Sequence, residues 1–173
     1  MRFRPKLVSG AALLALLAAA PAVAQTEVRS LGRFGDWSTY TYQENGNPVC
    51  YAASSPTRSR GNVKSRGDVF FLVTHRPEYD DVGVVTMVAG YAYAPDTTVT
   101  VAVGRAKFRF FTRDETAWAN GNDDKTAVRA MKRGSSMTVT GRSKSGTTTT
   151  DTFSLMGLTK AYQAISTACK VRN

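Results

Sequence analysis

A chain of 173 residues, 42% of them apolar, has room for one domain with a full core and is too apolar to remain disordered. Lys and Arg number 23 against 13 Asp and Glu, a net charge of +10, which favours anionic partners. Two cysteines and a single histidine leave no ligand set for a zinc centre, so no metal and no cofactor is expected.

Residues 1–24 read as a cleaved signal peptide. Arg2, Arg4 and Lys6 form the positive end, Leu7 to Ala20 the apolar stretch, and Ala22-Val23-Ala24 the small-residue cleavage pattern. A membrane anchor fits less well, because Ser9, Gly10 and Pro21 interrupt the apolar run. No integral membrane segment is then expected after cleavage. The three bases leave with the segment, and the net charge falls from +10 to +7. Export disfavours nucleic acid as a partner. It leaves lipid headgroups, cell-wall polymers and acidic host surfaces, in the periplasm, at the outer membrane or beyond it. Export also makes the even cysteine count meaningful: Cys50 and Cys169 have only each other to pair with. Closing so long a loop contributes roughly 4–5 kcal/mol in the chain-entropy account.

Residues 25–33 are polar and read as a flexible lead-in to a single domain over 34–173. Trp37, Thr39 and Thr41 alternate with Ser38, Tyr40 and Tyr42, the pattern of a strand. Asn45-Gly46 predicts a tight hairpin turn, and Val49 to Ala53 the returning strand. Ser54 to Arg66 reads as a loop carrying Arg58, Arg60, Lys64 and Arg66 with no acid among them. The run Val69 to Val73 is apolar at every position and predicts a central strand covered on both faces. Val82 to Tyr93 reads as one long strand, or two with a bulge at Gly90. Val99, Val101 and Val103 alternate with polar neighbours. Gly104-Arg105 turns the chain into a strand bearing Phe108 and Phe110, and Trp118 falls in a polar connection.

Asp123 to Arg133 predicts a short helix, with acids in its first turn, bases in its last and Gly134 as its stop. Its bases, Lys125, Arg129, Lys132 and Arg133, are accounted for by the helix dipole. Met137 and Val139 point inward on the next strand, Ser143 to Gly146 turn it, and the threonine run Thr147 to Thr152 leads to Phe153 and Leu155. Leu158, Ala161, Tyr162, Ile165, Ala168 and Cys169 follow helical spacing, with Thr159 as expected N-cap. Seven or eight strands joined by short turns, with two short helices, one of them C-terminal, give a mainly β, antiparallel sandwich.

Reactive groups are sparse. His75, Asp36 and Asp68 are the residues a hydrolase of cell-envelope polymer would use, yet no nucleophile elbow surrounds any serine and no carboxylate spacing demands a pair. The plainer use of His75 is a strand-end hydrogen bond. Arg66-Gly67-Asp68 spells an adhesion tripeptide, but its aspartate abuts a buried strand. Trp37, Tyr40, Tyr42, Tyr51, Tyr91 and Tyr93 could form an aromatic platform or fill the core.

Several strings in order carry a resemblance: Phe34-Gly35-Asp36-Trp37, Cys50-Tyr51, Val73-Thr74-His75-Arg76-Pro77, Ala89-Gly90-Tyr91-Ala92-Tyr93, Thr116-Ala117-Trp118, Ala130 to Gly134, the threonine run up to Ser154, and Ala168-Cys169-Lys170. From Phe34 to Lys170 the chain resembles the invasion-associated locus B family of exported Gram-negative proteins. The resemblance implies an immunoglobulin-like β-sandwich with paired cysteines and a link to host-cell attachment or invasion. It brings no catalytic motif. The expected function is therefore non-enzymatic binding of an anionic envelope or host component, with Arg58, Arg60, Lys64 and Arg66 in the binding surface.

Overall fold

Residues 27–172 are described by the structure, a computed structural model; the expected signal peptide, Met1–Ala24, lies outside the described residues. The first strand, β1 (Arg29–Phe34), occupies most of the expected lead-in. Its polar side chains conceal it, because among the described residues it is an edge strand paired to β2 (Trp37–Glu44) alone. The Asn45-Gly46 turn then fixes the register of β2 with β3 (Asn47–Ser54). Both turn residues have positive φ, 52° and 82°, matching the twist of the strands they join. The basic loop is partly ordered: Arg58–Arg60 form β4, a short edge strand.

The central run becomes β5 (Phe70–Arg76), but it is covered on one face only. Phe71, Val73 and His75 are fully buried, whereas Phe70, Leu72 and Thr74 lie on a partly open face. A 3₁₀ turn at Pro77–Tyr79 leads into β6 (Asp81–Val88). This strand bulges opposite Thr74/His75, at Gly83, and ends before Gly90. Gly90 is a crossing point instead. It has φ +69°, and a Cβ there would strike the backbone of Gly67, whose N–H donates to the Gly90 carbonyl.

The sheet continues through β7 (Thr98–Val103), β8 (Ala106–Arg113) and β9 (Thr116–Ala119), so Trp118 sits in a strand rather than a connection. The chain then enters helix α1 (Asp123–Arg133), followed by β10 (Ser136–Arg142), β11 (Thr148–Ser154) and helix α2 (Leu158–Ala168). The N-cap of α2 is Gly157, not Thr159. At φ +90° it lets the backbone press on the Phe34 carbonyl, where a side chain has no room.

Among the described residues eleven strands form one antiparallel sheet in the order β1-β2-β3-β5-β6-β9-β8-β7-β10-β11-β4. The sheet bends over on itself, giving the layers of a sandwich from one continuous sheet. Phe71 on β5 meets Phe153 on β11 at 5.7 Å and Phe110 on β8 at 6.2 Å across the core. The two ends are joined where Trp37 Nε1 donates to the Ser154 carbonyl at 3.1 Å. Helix α2 closes the core over β2 and β3, and α1 packs on β6 through Ala127, Val128 and Met131. Asp124, in the first turn of α1, accepts the Val85 N–H at 2.8 Å and ties helix to strand; burial pushes its carboxyl pKa up. Cys50 and Cys169, 119 positions apart in the chain, are bonded with their Cα atoms 5.9 Å apart, so β3 and the end of α2 are covalently fastened.

Candidate functional site

The four expected ligand-binding bases separate into three and one. Arg58 and Arg60 on β4 and Lys64 in the following loop are exposed. Arg66 is not part of that surface. Its guanidinium makes a bidentate pair with Asp151, at 2.9 and 2.7 Å, and its Nε donates to the Ala89 carbonyl at 2.8 Å. It also lies 5.0 Å from the centre of the Tyr91 ring, whose hydroxyl bonds to Thr149 at 2.6 Å. Asp151 is 1% exposed and its partner side chain 13%, so the pair anchors the loop to β11 rather than offering charge to solvent. The tripeptide Arg66-Gly67-Asp68 cannot present its arginine for the same reason.

Register then places Arg58 and Arg60 in a larger arrangement. Arg58 lies opposite Thr152 and Arg60 opposite Thr150. Thr150 and Thr152 lie opposite Thr140 and Thr138 of β10, with Arg142 opposite Thr148. Thr140 and Thr138 lie opposite Thr100 and Ala102 of β7, and these lie opposite Arg109 and Lys107 of β8. Directly opposed residues of antiparallel strands share a face. The outer face from β8 to β4 is therefore a field of threonine hydroxyls edged by bases: Lys107, Arg109 and Arg113 on one side, Arg58 and Arg60 on the other, and Arg142 between. Among the described residues no acid stands on it; the one acidic residue in its middle strands, Asp151, points inward to Arg66. Asp96, Asp114 and Glu115 are confined to turns. At about 4.8 Å per strand the field is roughly 19 Å wide.

The open face of the other layer differs. A groove of about 530 Å³ is lined by Tyr40, Tyr51, Phe70 and Leu72, with Arg33 and Asp36 among its polar groups. Tyr40 and Tyr51 stack at 5.2 Å, and Tyr42 meets Tyr51 edge-on. These three tyrosines are the platform members of the aromatic set; Trp37, Tyr91 and Tyr93 are buried.

The hydrolase residues are dispersed. Asp36 lines the groove, Asp68 is exposed ahead of β5, and His75 is wholly buried on the opposite face of β5. His75 Nδ1 accepts the Gly83 N–H at 2.9 Å, which leaves the proton on Nε2 to meet Ser166 Oγ at 3.1 Å. The ring stands edge-on to Tyr162 at 4.9 Å. Burial, reinforced by the charge of Lys132, lowers its pKa to about 4. It is a neutral structural histidine joining β5, the β6 bulge and α2.

These features define a disulfide-fastened antiparallel β-sandwich with a basic, hydroxyl-rich outer face. The chain belongs to the invasion-associated locus B family: the family model described as "Invasion associated locus B (IalB) protein" matches residues 37–166. That span runs from Trp37 at the sheet's closure to Ser166 beside His75. Family membership and the disulfide both fit an extracytoplasmic location. Searches of curated proteins and of solved structures return no match. No helix among the described residues is long and apolar enough to cross a membrane.

Proposed function

We propose that this protein binds an extended anionic component of the cell envelope, or an acidic host surface, and leaves it chemically unchanged. The observation that carries the reading is the outer face from β8 to β4, on which the described residues place six bases, rows of threonine hydroxyls and no acid. Charge on both edges of a flat hydroxyl field suits a repeating polyanion better than a compact ion. Bases attract at long range while hydroxyls accept or donate at contact. Dispersal of Asp36, Asp68 and His75 supports binding over hydrolysis, because no two of them share a cleft. The periplasm or the outer membrane is the proposed place of action, and attachment to host cells is the alternative the family's name suggests.

Polymer pairs that differ only in charge test the reading. The domain from Gln25 onward should bind immobilised dextran sulfate and not dextran. Lys107→Gln/Arg109→Gln/Arg113→Gln should weaken that binding as clearly as Arg58→Gln/Arg60→Gln/Lys64→Gln does. Equal retention on both polymers, or no effect of either variant, contradicts the assignment.

A further inference from the structure

The bases of α1 are not explained by the helix dipole. Lys132 and Arg133 stand in the last turn, where positive charge is favoured, but Lys125 stands in the first, where it is disfavoured. Lys125, Arg129 and Lys132 also share one helix face, and like charges four residues apart oppose helix formation. These three bases converge with Arg172 on the rim of a cavity of about 300 Å³ floored by Val82, Gly83, Val128 and Tyr162. No carboxylate side chain of the described residues lines this cavity. Asp80, Asp81 and Asp124 line an adjoining depression that Lys125 and Arg172 also border, whereas Arg129 and Lys132 line the cavity alone. Among the described residues the ion pairs are Arg66–Asp151 and Arg76–Glu44, so none of the four rim bases is in one. Lys132 Nζ is held 3.5 Å from the centre of the Tyr162 ring, and burial holds its pKa below the usual lysine value. Four bases thus border one apolar floor, a rim whose charge suits a multiply charged anion.

We propose that this cavity binds the phosphoryl group of a small molecule, with Arg129 and Arg172 as forked donors, Lys125 and Lys132 as point charges, and the Tyr162–Val128 floor against the apolar part of the ligand. A phosphomonoester carries close to two negative charges and three acceptor oxygens, which suits a rim of four cations better than a single carboxylate does. Guanidinium forks match phosphate oxygens in pairs. The site lies on the helical side of the domain and is independent of the sheet face proposed above. Both a soluble phosphate ester and the headgroup of a phosphatidic-acid-type lipid share this chemistry.

The domain from Gln25 onward, with its disulfide intact, is titrated with inorganic pyrophosphate and with micelle-free dihexanoyl phosphatidic acid; sulfate is the control for nonspecific anions. At least one phosphoryl probe should saturate at one per chain, raise the melting temperature and perturb Val128 and Tyr162 resonances. Similar affinities for the two probes assign a soluble ester, and tighter binding of the lipid assigns a headgroup. Lys125→Gln/Arg129→Gln, at two exposed positions, should weaken binding about tenfold or more, as loss of charge-assisted hydrogen bonds does, and should slightly raise the melting temperature of the free protein. Arg58→Gln/Arg60→Gln/Lys64→Gln should leave this binding unchanged. Saturation should also move the single histidine's titration upward, because the bound anion cancels the Lys132 field felt by His75. Failure of both probes to outcompete sulfate, or undiminished binding by the Lys125/Arg129 variant, overturns the site.

Discussion

Arg66→Gln should destabilise the fold severely, although the residue lies in a basic surface loop. Its guanidinium supplies two hydrogen bonds to Asp151 and one to the Ala89 carbonyl. Removing it leaves a carboxylate that is 1% exposed without its counter-charge. Breaking one partner of a buried pair costs about 3–5 kcal/mol. For a domain of this size that is a fall in melting temperature of roughly 6–20 °C. Arg58→Gln, Arg60→Gln and Lys64→Gln, three solvated positions, should each stay within about 0.5 kcal/mol of the parent. The assay is urea unfolding of the domain from Gln25 onward, with the midpoint compared at constant slope. Arg66→Met/Asp151→Leu, which removes both charges, should recover much of the loss, since an apolar pair leaves no stranded ion. If Arg66→Gln is as stable as Arg58→Gln, the pair does not anchor the loop and Arg66 returns to the solvent-facing set.

The burial of His75 gives a pH dependence with a definite sign. The unfolded chain takes up a proton near pH 6.5 and the native state only near pH 4, so stability is lost as pH falls through that interval, by about 3 kcal/mol at most. His75→Asn, which keeps an acceptor for the Gly83 N–H, should lack this component, and a native histidine titrating near 6.5 by NMR contradicts the burial argument. Reducing Cys50–Cys169, or replacing both with serine, should cost about 2–5 kcal/mol, and unfolded, unreduced protein should show no free thiol.

What could be read locally was legible in advance. The Asn45-Gly46 turn, the alternation of Trp37, Thr39 and Thr41, and the charged ends of α1 are signals within a dozen residues, and each matched the structure. Gly90 was misread because its constraint is the backbone of Gly67, not its own strand. Trp118 was hidden by the polar residues 120–124 that follow a strand of only four residues. The Arg66–Asp151 pair spans 85 positions, and nothing in the spacing of either residue announces it. The basic face escaped notice for a similar reason. Thr147 to Thr152 is conspicuous, but its alignment with Arg58 and Arg60 requires β4 to return to β11, and its alignment with Arg109 requires the non-consecutive pairing of β10 with β7. The α1 bases were visible as a group; only the fold brings Arg172 to the same rim.

The proposed function rests on the outer face from β8 to β4, and the salt dependence of binding to envelope material tests it most directly. Immobilised lipopolysaccharide and isolated host-cell surface glycans are each presented to the parent domain and to Arg58→Gln/Arg60→Gln/Lys64→Gln across a series of sodium chloride concentrations. Exposed charges act through a field screened over about 8 Å at physiological salt. The parent's affinity for at least one of these surfaces should therefore fall steeply as salt rises. The variant should bind more weakly at low salt and show a shallower slope, with unchanged unfolding. Binding that ignores salt, or a variant indistinguishable from the parent at every concentration on both surfaces, contradicts the account.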